Sequence, residues 1–232
     1  MPLLEVDNLQ VFYGDFQALF GVSVKVDKGE TVSIIGANGA GKSTLLRAIT
    51  GINREKTGRI QFDSADITAM RAHLIARRGI SIVPEGRRLF PSLSVEDNLL
   101  TGTATARAGE WTLDKVYDLF PMLRAIRAHP SARISGGQQQ MVAIGRALLA
   151  NPLLLLCDEL SLGLAPKVIN DIYAQFDHIR ERGVSILLVE QDVMRAIAAS
   201  DRIYCFLEGR VSLQGIAKNF GVDEISRAYF GT

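Results

Sequence analysis

Thr31-Val32-Ser33-Ile34-Ile35-Gly36-Ala37-Asn38-Gly39-Ala40-Gly41-Lys42-Ser43-Thr44 decides the fold of this 232-residue chain. Residues 31–35 are apolar and β-branched enough for a short buried strand, and residues 42–50 suit a helix that stops at Gly51. Between them, Gly36 to Ser43 satisfies G-x-x-x-x-G-K-[ST] without a mismatch. Glycines let a backbone wrap so that successive N–H groups face phosphate oxygens, and the helix start adds partial positive charge. Lys42 is placed to reach the β- and γ-phosphates of a nucleotide, and the Ser43 hydroxyl to ligate Mg²⁺. Gly39 and Gly41 keep side chains away from both.

Two further stretches extend this reading. Leu153 to Asp158 is an unbroken apolar run ending in acid, as expected of a central parallel strand whose carboxyl end lies at the ligand edge of the sheet. Asp158 can serve Mg²⁺ there through its water shell. Glu159, one residue on, can take a proton from an attacking water. Ser135-Gly136-Gly137-Gln138 offers a hydroxyl, two positions without side chains and the start of a helix expected over 138–150, before Asn151-Pro152. One nucleotide already has its phosphate loop, so a second phosphate-suited terminus makes sense if it serves a nucleotide held by another subunit.

Taken together, the phosphate loop, Ser135 to Gln138 and Asp158-Glu159 resemble the nucleotide-binding subunits of ABC transporters, and the resemblance runs over almost the whole chain. It implies ATP and Mg²⁺ as ligands and two cassettes closing head to tail around two ATP molecules. Each site would join Gly36, Ala37, Asn38, Gly39, Ala40, Gly41, Lys42, Ser43 and Thr44 of one subunit to Ser135, Gly136, Gly137 and Gln138 of the other. By position, Tyr13 matches the aromatic that stacks on adenine. The stretches Val83 to Pro91, Ala143 to Leu148, Ser161 to Pro166 and Leu188 to Gln191 are similar to the shorter ATPase subunit of the branched-chain (LIV-type) amino acid importers, and importers for amides and urea share much of this wording.

Several positions differ from the wider family. Glu85 stands where a Gln is usual, keeping a metal-facing oxygen while adding negative charge. Gln191 replaces a γ-phosphate-contacting His; its amide can donate a hydrogen bond but cannot become cationic. Leu164 replaces an Asp of the loop crossing the subunit boundary. Glu85, Gln191 and Leu164 are similar to the LIV-type short subunit, whereas Leu160, in place of a Pro, and Cys157 are more individual.

The resemblance and the pattern of elements imply an α/β fold, a P-loop NTPase (RecA-like) core with an antiparallel β subdomain and an inserted α-helical lobe. A single cassette over 1–232 is expected, with a core lobe of residues 1–84 and 151–232 and a helical lobe over 85–150. Short strands are expected at 11–13, 22–26, 80–83 and 184–189, and a hairpin over 202–213 around Glu208-Gly209-Arg210. Helices are expected at 95–100 and 113–120, around a Gly/Ala/Thr-rich stretch near 101–110. Val168, Ile169, Ile172, Phe176 and Ile179 fall on one face at helical spacing, as core that covers a sheet. The lobe carrying Ser135 has to move toward a partner's ATP, with Glu85 at its first hinge.

Global properties exclude several classes. No apolar run approaches the roughly 18–20 residues of a membrane span, and Met1-Pro2-Leu3-Leu4-Glu5 lacks an export signal. Lys and Arg total 26 against 25 for Asp and Glu, so there is no electrostatic footprint for nucleic acid. Cys157 and Cys205 lie in apolar runs and read as buried side chains. His73, His129 and His178 have no metal-ligand spacing and read as surface residues. No internal repeat suggests a second cassette, and no C-terminal regulatory domain is expected.

The expected protein is therefore an ATPase with Glu159 and Gln191 as catalytic residues and Ser43, Glu85 and Asp158 as metal ligands. It would sit on the cytoplasmic face of the membrane with a second cassette, either a different subunit or a copy of itself. Its further partners would be integral membrane permease subunits and, indirectly, an extracytoplasmic solute-binding protein. Two alternatives stay open: a weakly hydrolytic cassette of an amide or urea importer that mainly clamps ATP, and a cytosolic ABC ATPase acting on ribosomes or DNA.

Overall fold

The computed structural model describes residues 1–105 and 107–231, so residue 106 of the Gly/Ala/Thr-rich stretch lies outside the described residues. The chain forms two compact units, Met1–Ile75 with Ser185 onward, and Ala76–Val184. The second is wider than the helical stretch expected from composition, because it also takes in residues 76–84 and 151–184, with one strand in each.

In the first unit, β1 (Leu4–Tyr13), β2 (Phe16–Val26), β4 (Lys56–Phe62) and β5 (Ala65–Asp66) form an antiparallel sheet in the order β2-β1-β4-β5. Alternation sets the register: Leu4, Val6, Leu9 and Val11 point into the core, opposite Val26, Val24 and Val22 of β2. Both strands run well beyond the short segments expected. The second sheet holds β3 (Thr31–Ile35), β8 (Ser185–Glu190) and β9 (Arg202–Leu207) in parallel, with β10 (Arg210–Ile216) antiparallel on the edge. Every residue of β3 and β8 is buried, as befits strands covered on both faces.

Helix α1 (Lys42–Ile49) follows β3 and buries Leu45, Leu46 and Ile49 completely. Helices α9 (Val193–Ala199) and α10 (Val222–Phe230) cover the β9 side, where Ile35, Ala196, Ile203, Cys205 and Ile225 form one cluster. Helix α2 (Ala72–Arg78) contains the boundary between the units.

The second unit pairs β6 (Ile80–Val83) in parallel with β7 (Leu154–Asp158). Its helices are α3 (Val95–Leu100), α4 (Leu113–Leu119), α5 (Pro121–Ala125), α6 (Gly136–Leu148), α7 (Pro166–Tyr173) and α8 (Phe176–Glu181). The single apolar face expected over 168–179 is buried at Ile169, Ile172, Phe176 and Ile179, but it is built from two helices, broken at Ala174-Gln175. Cys157 and Cys205 are buried and in no disulfide, and His73, His129 and His178 are exposed. Among the described residues no helix is long and apolar enough to cross a membrane.

Candidate functional site

In the first unit the register of the parallel strands places the chemistry. Ile35 of β3 pairs with Glu190 of β8 and with Cys205 of β9, so Gly36 and Gln191 leave neighbouring strands at the same level. That level is the carboxyl edge, where open parallel sheets hold their ligands. Residues 36–41 then curl back over the edge, tied by Ala37 O accepting from Ala40 N (3.1 Å) and by Ala40 O accepting from Gly209 N (3.1 Å).

Gly41 is the N-cap of α1, with φ +100°, a conformation L side chains rarely adopt. A Cβ there would lie 2.5 Å from Leu19 Cδ2, so space and backbone both demand glycine. Gly41 offers no side-chain cap to α1, and the first N–H groups of a helix have no acceptor within the helix itself. Lys42 is buried at 4 % exposure, and its ammonium donates to the carbonyls of Gly36 (2.7 Å) and Ala37 (3.1 Å). A buried cation bent back over its own loop, beside a helix start with no acid in its first turn, has the charge and donors that suit a polyanion.

Tyr13 closes the same cluster from the end of β1. Its hydroxyl donates to Thr44 Oγ1 (3.4 Å), yet the residue is 43 % exposed and leaves ring surface available for stacking. Burial opposes ionisation of this phenol, but hydrogen bonds with Thr44, Arg47 and Asn53 outweigh it and hold the pKa below the ordinary tyrosine value. Arg47 and Asn53 were not singled out from sequence; only their distance from Tyr13 in the fold reveals them.

The second unit repeats the edge geometry with other side chains. Val83 of β6 pairs with Cys157 of β7, so Pro84-Glu85 and Asp158-Glu159 emerge together at a carboxyl edge. Asp158 is buried, Glu85 is exposed, and the Glu159 backbone is left-handed at φ +49°. Leu160 is 1 % exposed, so the residue standing in the place of a proline is a core side chain. Glu85 and Asp158 of this unit carry carboxylate oxygens, and Ser43 of the first unit a hydroxyl; each is an oxygen donor of the kind Mg²⁺ takes.

Helix α6 begins at Gly136, two residues before the expected start. Ser135 Oγ accepts from Gln138 N (3.3 Å) while Gln138 Oε1 accepts from Ser135 N (2.8 Å), a complete capping box. The two glycines of its first turn have close neighbours. A Cβ on Gly136 would lie 3.2 Å from the Arg87 guanidinium, and one on Gly137 only 2.6 Å from Val168 Cγ1.

The family profile described as "ABC transporter" matches residues 19–161. The chain is 44 % identical over 211 residues, 90 % of itself and 91 % of the other protein, to the high-affinity branched-chain amino acid transport ATP-binding protein BraG of Pseudomonas aeruginosa. It is 34 % identical to the probable branched-chain amino acid transport ATP-binding protein LivF of Archaeoglobus fulgidus, covering 93 % of this chain and 92 % of that one. Among solved structures, a nucleotide-free ATP-binding cassette from an ABC transporter superposes with a TM-score of 0.85 at 28 % identity, over 100 % of this chain and 96 % of that one. The dimeric post-hydrolysis state of the cassette MJ0796, bound to ADP and Pi, superposes with a TM-score of 0.81 at 26 % identity, over 94 % and 100 %.

Proposed function

The chain belongs to the ATP-binding cassettes of the ABC transporter family, which are ATPases, and on that premise we propose that it powers import of branched-chain amino acids through membrane subunits on other chains. The observation that carries this reading is the Lys42 cradle: a buried ammonium, a side-chain-free N-cap and an uncapped helix start at the carboxyl edge of β3. The relatives named for branched-chain amino acid transport support the class of solute.

In this reading residues 36–44 hold the triphosphate and Tyr13 stacks on the base. Ser43, Asp158 and Glu85 would hold Mg²⁺, which offsets charge on the phosphates. Glu159 takes the proton of the attacking water, and Gln191 donates a hydrogen bond toward the γ-phosphate. Ser135 to Gln138 complete the site of a second cassette, so two chains close head to tail; that the similar cassette MJ0796 is dimeric supports pairing. The chain works at the cytoplasmic face of the membrane, on permease subunits served by an extracytoplasmic solute-binding protein.

General-base removal typically costs about 10²- to 10⁴-fold. In the assembled transporter, Glu159→Gln is therefore expected to bind ATP normally and turn over at least about a hundredfold more slowly; near-normal turnover overturns the assignment. Receptor loaded with leucine, isoleucine or valine is expected to stimulate ATPase activity. Stimulation by urea or an amide alone replaces the solute assignment. Glu85, Gln191 and Leu164 favour a second reading, in which this cassette clamps ATP while a companion hydrolyses it. Phosphate release from complexes lacking the general base in one cassette at a time separates the two.

A further inference from the structure

The loop after β6 and the start of α6 are bolted together by two arginines that point in opposite directions. Arg87, from the loop, donates through Nη1 to Gln139 Oε1 (3.2 Å) and through Nε to Gln140 Oε1 (3.4 Å), and its guanidinium lies against Gly136. Arg146, two turns further along α6, reaches back and donates to the carbonyls of Arg87 (2.9 Å) and Arg88 (2.8 Å). Those carbonyls are presented because Arg87 and Arg88 both have left-handed backbones, at φ +65° and +47°.

The far end of the loop is fixed as well. Fully buried Asn98 accepts from Phe90 N (2.8 Å) and donates to Phe90 O (3.0 Å), and Ser131 Oγ donates to the same carbonyl (2.7 Å). Gln139 Nε2 returns to Ser131 O (3.0 Å) and so joins this anchor to the first turn of α6. The Phe90 side chain is nonetheless 50 % exposed. A loop whose backbone is held at both ends and whose middle is forked onto a helix cannot shift without carrying that helix start with it.

We propose that Arg87 and Arg146 form a reciprocal latch that makes the 85–90 loop and the Ser135-Gly136-Gly137-Gln138 terminus a single rigid body, with both arginines acting as positioning residues for the phosphate-facing end of α6. The planar fork of each guanidinium is essential, because each spans two acceptors at once. Burial lowers the pKa of Arg146, but its ordinary value is so high that the group stays cationic and keeps its donors. The functional part of this inference rests on the reading of residues 135–138 as facing a partner's ATP; the latch itself does not.

Two measurements on the full chain keep those parts distinguishable. In hydrogen exchange without nucleotide, Arg87→Ala is expected to raise exchange at least about tenfold in peptides covering 86–90 and 137–142, and to leave 36–46 unchanged, since locally held segments lose protection when their ties go. Unchanged exchange at 137–142 overturns the latch. In steady-state turnover, Arg87→Ala is expected to lower kcat by about ten- to a hundredfold, the cost of a small misplacement of a reacting partner, with affinity for a fluorescent ATP analogue within twofold of the parent chain.

Arg87→Lys, which keeps charge and bulk, should behave like Arg87→Ala; full rescue by lysine overturns the role of the fork. Combining Arg87→Ala with Arg146→Gln should lower kcat no further than the worse single variant, as for groups in one unit. Full multiplication of the two effects counts against a shared latch. Turnover within twofold of the parent despite loosened exchange overturns the positioning role. If Ser135→Arg leaves turnover intact, the reading of residues 135–138 fails while the exchange result stands.

Discussion

Lys42 carries its charge into a nearly closed setting, where the carbonyls of Gly36 and Ala37 replace lost water. Such charge-assisted bonds are worth about 1.5–3 kcal/mol each when redirected to a phosphate. Lys42→Ala is expected to weaken ATP binding by about 10- to 150-fold in an equilibrium titration. The fold should survive, because α1 keeps Leu45, Leu46 and Ile49 in the core. The strand, loop and helix over residues 31–49 were legible from sequence because the glycine spacing encodes a backbone shape. Arg87 was not: its significance lies in partners 49 to 53 residues away along the chain, Gly136, Gln139 and Gln140, which no local pattern reveals.

At the scale of elements, the ends matter more than the middles. Ser135→Ala removes one half of the capping box at α6 and should cost about 1 kcal/mol, lowering Tm by about 2–4 °C. Ser135→Thr keeps an N-cap acceptor and should restore most of that shift in the same calorimetric scan. Beyond the other end of α6, Asn151 adopts φ +49° and its side chain brackets Trp111, accepting from its N–H (2.7 Å) and donating to its carbonyl (3.2 Å). Asn151→Ala forces a left-handed alanine and strips both bonds, an expected loss of about 2–4 kcal/mol. Trp111 is the one tryptophan of the sequence, so its fluorescence during urea unfolding reads that loss directly.

The elements that sequence did not reveal have a common cause. β4 (Lys-Thr-Gly-Arg-Ile-Gln-Phe) opens with two cations around a glycine, and only Ile60 and Phe62 alternate inward. Helices α2 and α9 bury a single side chain each, Ile75 and Ala196, too little to set a periodic signal. In contrast, β6, β9 and α3 fell at their expected bounds: β6 and β9 are short apolar runs next to Gly79 or Glu208-Gly209, and Ser94 caps the start of α3. Helical spacing over 168–179 identified four buried side chains, with Val168 only half-buried, but not the break between α7 and α8, where Ala174-Gln175 carries neither glycine nor proline.

For the molecule as a whole, the proposed pairing predicts a mass change. Glu159→Gln with ATP and Mg²⁺ is expected to scatter light as two chains, and with ADP as one, since closed two-fold pairing buries each phosphate terminus once. If the companion in the working transporter is a different cassette, the mixed pair should form at lower concentration than the pair of like chains. The same titration at several protein concentrations measures both.

The burial of Cys157 and Cys205 makes such experiments simpler than they would otherwise be. Both thiols lie at 0 % exposure, which shields them from alkylating reagents, and burial also raises the pKa of Cys205. A maleimide dye added to the native chain should find no ready target, and no cysteine-free background needs to be made. One cysteine introduced at the exposed Leu162 would then take a donor or acceptor fluorophore cleanly and turn the approach of two chains into a distance followed in real time.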